Sequence, residues 1–84
     1  MVYKYTPYGV CSREMEVTIN EEGIIEHVKI IGGCDGNLKG IIKLVEGRGV
    51  DEVITLLEGI ECRDKGTSCP DQLAQCLKEA SELL

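Results

Sequence analysis

The chain contains no phenylalanine, no tryptophan and only three tyrosines among its 84 residues. Its core must therefore be aliphatic. A chain this short buries about 60–65% of its extended surface, which leaves a thin stability margin, and domains of this size often add a metal or disulfides. Basic residues are also scarce. Nine Lys and Arg stand against fifteen Asp and Glu, a net charge of −6 with a pI near 4.7. That balance excludes the basic face of a nucleic-acid binder and disfavours an anionic membrane surface. No run approaches the roughly 18 apolar residues of a membrane span. MVYKYTPYGV at the start has no charged-then-apolar export pattern, and a cytoplasmic location is expected.

Several catalytic signatures are missing as well. There is no Walker A loop, no Ser-His-Asp arrangement and no GxGxxG after a strand; GGCDG at 32–36 is not a phosphate fingerprint. There is no CxxC pair, so no zinc-finger signature. No internal repeat, low-complexity tract or linker divides the chain, and residues 1–84 are expected to form a single domain.

What the chain does have is cysteine: five of them. The number is odd and no export signal accompanies it, so a disulfide framework is not expected. Metal binding or redox chemistry is the alternative, set against the plain reading of buried small hydrophobes.

Periodicity supplies the scaffold. Tyr3 and Tyr5 alternate with Lys4 and Thr6 as a short strand, ended by Pro7 and Gly9. From Glu14 to Asn20, Met15, Val17 and Ile19 alternate with polar residues, the pattern of a half-buried strand. Glu21-Glu22-Gly23 turns the chain into a third strand over 24–31, with Val28 and Ile30 inward and His27 and Lys29 outward; the short loop makes the pair an antiparallel hairpin. Leu38, Ile41, Ile42 and Val45 then follow helical spacing up to Gly47. Gly40 inside that helix costs about 1 kcal/mol relative to Ala, which suggests close approach to another element. A second helix is expected from about Asp51 to Glu58, and a last one from Cys69 or Pro70 to the C-terminus, with Leu73, Leu77, Ala80 and Leu84 on one face. Strands first and helices afterwards predict an α+β fold: a three-stranded antiparallel sheet with about three helices on one face.

Four cysteines fall in loops or at element ends: Cys11 at the start of a strand, Cys34 among glycines before a helix, Cys62 in a loop and Cys69 at the start of the last helix. Such positions let a scaffold hold ligands, and glycines let the backbone come close to a metal. Four thiolates can close a tetrahedral zinc site or hold an iron–sulfur cluster. The C-x22-C-x27-C-x6-C spacing matches no standard motif. Ser68 and Asp71 stand in capping-box spacing, and Pro70 suits a first helical turn. Cys69 thus sits at a helix N-terminus, where amides and the helix dipole favour thiolate. It also falls on the face of Leu73 and Leu77, so simple packing is the plain alternative. Cys76, two turns into the same helix, is read as core. His27, mid-strand and outward, is read as a solvated histidine.

These residues carry a resemblance. TSCPD at 67–71, YGVCS at 8–12, GGCDGNLKGI at 32–41, LVEG at 44–47 and GIECRDKGTSCPDQLAQ at 59–75 resemble the short members of the TSCPD domain family over nearly the whole chain. That resemblance implies a cysteine-rich, metal-binding domain, zinc the expected metal, with Cys11, Cys34, Cys62 and Cys69 as its ligands. It implies a link to adenosylcobalamin-dependent ribonucleotide (ribonucleoside-diphosphate) reductases, which carry such a domain at their C-terminus and supply DNA synthesis. The chain lacks the barrel and nucleotide pockets of those enzymes, so an accessory role is expected, with no catalysis alone and a reductase or another redox protein as partner. A more distant resemblance, carried by Cys11-Ser12, INEEGIIEHVKI at 19–30, Gly33-Cys34, Asp51-Glu52 and Ser68-Cys69, is to the IscU and NifU iron–sulfur scaffolds. It implies three strands followed by helices and, as an alternative function, cluster assembly or transfer; a thiol redox role is a third. Arg13 stands where the scaffolds have an acid, and Ser68 where they have a histidine. Cys62 is then available as a fourth ligand.

Overall fold

The computed structural model describes residues 1–33, 35–62 and 66–84. Three strands come first: β1 (Val2–Tyr5), β2 (Ser12–Ile19) and β3 (Ile25–Gly32); α1 (Asp35–Val45), α2 (Val50–Leu57) and α3 (Cys69–Ser81) follow. The sheet is antiparallel with β2 in the middle. This is the expected α+β arrangement. Helix α3 packs on β1 and β2, α1 on β3, and α2 beside α3. The core is aliphatic, as the missing aromatics require: Met15, Val17, Ile19, Ile25 and Val28 from the sheet meet Val45, Val50, Val53, Leu73 and Leu77 from the helices. Fully burying one such side chain stabilises the fold by about 1.5–3 kcal/mol. Cys76 is completely buried among them, as read from its position.

Strict alternation fails at two points, one at each end of β2. Thr18 pairs with His27 while Ile19 pairs with Ile25, so Glu26 is an extra residue in β3. Ser12 pairs with Gly32 while Glu14 pairs with Ile31, so Arg13 is an extra residue in β2. A bulge of this kind re-aims the side chains beyond it. Continued alternation from Met15 would turn Arg13 inward and Ser12 outward. Instead Arg13 is exposed and Ser12 is buried, 3% exposed.

The hairpin end is tied down by main chain. Asn20 Oδ1 accepts from the N–H groups of Glu22 and Ile24, at 2.9 and 3.0 Å, and Gly23 takes a positive φ of 77°. The link between α1 and α2 lies along this part of β3: Ile25 N–H donates to Arg48 O (2.9 Å), Gly47 N–H to Ile25 O (2.7 Å) and Val50 N–H to Gly23 O (2.9 Å). Gly40 does not do what its place in α1 suggested. A Cβ added there meets nothing within 4 Å, because Gly40 points to solvent.

Candidate functional site

The start of α3 is built from the sequence Thr67-Ser68-Cys69-Pro70-Asp71. Ser68 is the N-cap residue, with extended φ and ψ of −152° and 171°. Its Oγ accepts from Asp71 N–H at 3.2 Å and donates to Ile60 O at 2.6 Å. Pro70 lies in the first turn, where a missing N–H costs nothing. Only half of a capping box forms. The Asp71 carboxylate does not return to Ser68 N–H; it accepts from Thr67 Oγ1 (2.6 Å) and from Gly59 N–H (2.7 Å).

A carboxylate can only accept, so Thr67 must be the donor in that pair. The lone pairs of Thr67 Oγ1 are then free to accept from Gln72 Nε2 at 2.9 Å. That fixes the Gln72 amide with its Oε1 facing the sheet, where it accepts from the Tyr5 hydroxyl (2.9 Å) and Tyr8 N–H (3.1 Å). Gln72 is completely buried and Asp71 only 7% exposed. Burial by itself works against the Asp71 charge, but the Thr67, Gly59 and Gln75 donors and nearby Lys78 outweigh it and hold its pKa below the usual carboxylate value. Burial, reinforced by the Glu79 charge, pushes the Tyr5 phenol up to about 12, so it remains a donor. Gln72 is the site residue that sequence reasoning missed. Its one visible signal is a polar residue beside the Leu73–Leu77 stripe, which a solvated helix position would show equally.

Four of the five residues of this stretch are thus occupied with holding the turn. The fifth, Cys69, is left with its thiol half-exposed, its Sγ 3.5 Å from Ser12 Oγ. Cys11 precedes Ser12 and is exposed; its Sγ lies 3.5 Å from where a Cβ on Gly33 would be. That same Cβ would stand 2.7 Å from Leu38 Cδ1, and φ is +82°, so Gly33 has two reasons to lack a side chain. Gly9, also at positive φ, brings the segment before Cys11 against Thr67: a Cβ there would lie 3.1 Å from Cγ2. Cys62 is exposed and joined to the α3 start by its own N–H, which donates to Thr67 O at 2.9 Å.

Cys11, Cys62 and Cys69 therefore all lie at the end of the molecule where β2 begins, β3 ends and α3 starts. Cys34 lies outside the described residues, although its neighbour Gly33 faces Cys11. Among the described residues no three Cys, His, Asp or Glu side chains stand together as a metal-holding group. His27 stays out of this region. It pairs with Thr18 toward the hairpin, exposed, with Nδ1 3.3 Å from Glu46 Oε2. Cys76 also stays out: burial, and secondarily the Glu79 charge, push its pKa up to about 12, so it remains a protonated core thiol. The described helices include none long and apolar enough to cross a membrane.

Fold and thiols together define a small α+β domain that presents cysteines at one end of its sheet. The chain belongs to the TSCPD domain family, whose model matches residues 1–81. No curated protein and no solved structure matches it, so the likeness to iron–sulfur scaffolds gains no support from that quarter.

Proposed function

We propose that this TSCPD domain is a metal-binding module, with zinc as its metal and Cys11, Cys34, Cys62 and Cys69 as ligands, accessory to a ribonucleotide reductase and not catalytic alone. One observation carries the reading. Thr67, Ser68, Pro70 and Asp71 are consumed in shaping the α3 start, and the unspent residue is a thiol facing the Cys11 segment. A core cysteine would not need such a mounting; Cys76 has none and is buried. The donor set suits the metal. The described members of the set, Cys11, Cys62 and Cys69, are not joined in disulfides and are at least partly exposed, soft thiolates select zinc or iron–sulfur clusters, and Cys34 is the fourth proposed ligand. Bound zinc would supply cross-linking of β2, the loop at 62 and α3, in a chain whose aliphatic core is small.

The test is elemental analysis of protein purified without oxygen. About one zinc per chain is expected, lost on changing Cys11, Cys34, Cys62 or Cys69 to Ser and retained in Cys76→Ser. Equal loss at all five positions, or iron with sulfide in place of zinc, overturns the reading. The isolated chain is expected to show no ribonucleotide reduction with any nucleotide, cobalamin or thiol supplied, since 84 residues cannot form the barrel on which such reductases act.

A further inference from the structure

Ser12 has no place in the ligand set, yet the fold goes out of its way to bury it. The bulge at Arg13 reverses the alternation of β2, so a small polar residue enters the interior where a strict strand would expose it. Its Oγ then lies 3.5 Å from Cys69 Sγ. In the thiol state either atom can donate. Once Cys69 is a thiolate, free or metal-bound, the sulfur has no proton, and only Ser12 can donate. A buried hydroxyl aimed at a ligand sulfur orients that ligand and tunes its electron donation, as partners behind metal ligands commonly do.

We infer that Ser12 is the positioning residue of the thiol site, its hydroxyl donating to the Cys69 sulfur and holding it toward the Cys11 segment. The inference rests on the metal-binding reading for its purpose but not for its geometry. It also gives the Arg13 bulge a role: the extra residue lets Cys11 stay exposed while Ser12 turns in behind it.

The experiment uses the full chain with Ser12→Ala, Ser12→Thr and Ser12→Val. With cobalt(II) in place of zinc, Ser12→Ala is expected to move the thiolate-to-cobalt absorption to longer wavelength, because the sulfur lone pairs lose a hydrogen bond. Competition with a chelator should show zinc binding weakened by about tenfold or more. Ser12→Thr, which keeps the hydroxyl, should restore both; Ser12→Val, of the same shape without it, should not. In metal-free protein at one fixed pH, alkylation of Cys69 relative to Cys62 should slow severalfold in Ser12→Ala and Ser12→Val and recover in Ser12→Thr. Should Ser12→Ala fail to fold, the Thr and Val pair decides alone. An unchanged cobalt spectrum, zinc affinity and alkylation ratio in a folded variant lacking the hydroxyl overturns the inference, as does identical behaviour of Thr and Val. If the unaltered chain gives no thiolate–cobalt band, the metal reading fails, and the alkylation arm still decides the role of Ser12.

Discussion

The two ends of the same sheet are finished by different means. At the hairpin end, polar groups are met almost entirely by backbone and by one asparagine: Asn20 caps the turn, and the 47–50 link closes on β3 through main-chain bonds. At the thiol end, most of the closing bonds come from side chains, with Thr67, Ser68, Asp71 and Gln72 linking α3 to β1, to the segment before Cys11 and to the 59–60 segment, beside one main-chain bond from Cys62 to Thr67. Backbone closure tolerates most substitutions. Side-chain closure ties each position to one chemistry, and it fixes the chain around Cys11, Cys62 and Cys69 through groups other than their sulfurs. A region that carries function through loops benefits from that arrangement.

The largest contrast is expected between thiols. In metal-free protein an alkylating agent should modify exposed Cys11 and Cys62 about a thousandfold faster than Cys76, whose reaction requires opening of the core. Peptide-level mass spectrometry over time measures this. Comparable rates for Cys76 would mean that α3 does not pack as described.

Asp71→Ala comes next. It leaves the Gly59 N–H and the Thr67 O–H without their acceptor, and bonds to a charged acceptor contribute about 1.5–3 kcal/mol each. A loss of about 3 kcal/mol in urea unfolding is expected. The same residue sets an acid limit. Its folded pKa is depressed, so the unfolded chain takes up the proton first as pH falls. The stability it contributes is therefore present above about pH 4, the ordinary Asp range, and lost as pH drops through the folded value. Asp71→Ala should flatten the pH dependence of the melting temperature in that window; an unaltered slope would show that other carboxylates set it.

At the hairpin end, Asn20→Ala should cost only about 1 kcal/mol, since the main-chain closure remains. A cost equal to that of Asp71→Ala would erase the distinction between the two ends. The smallest effect belongs to a residue in neither region. Gly40 faces open space, so Gly40→Ala should stabilise by about 0.5–1 kcal/mol, read as a rise in melting temperature.

Much of this was legible in the amino-acid order, for local reasons. Met15, Val17 and Ile19 mark β2 by alternation, and the turn over 21–23 fixes the hairpin. Apolar spacing at 38–45 and 73–77 marks helices, and Pro70 after Ser68-Cys69 marks where α3 starts. These signals depend on neighbours within one turn or one strand, and the sequence holds all of them. It also separates Cys76, on an apolar helix face, from the cysteines in loops. The inward turn of Ser12 depends on register against Gly32 and Ile31, partners some twenty residues away that no local pattern encodes. The partners of Asp71 and Gln72 are Gly59, Tyr5 and Tyr8, met only once the sheet and helices have packed. Periodicity can say that a residue is inside. Which polar group it meets there is decided by tertiary structure, because a buried donor or acceptor must find its partner wherever the fold brings one.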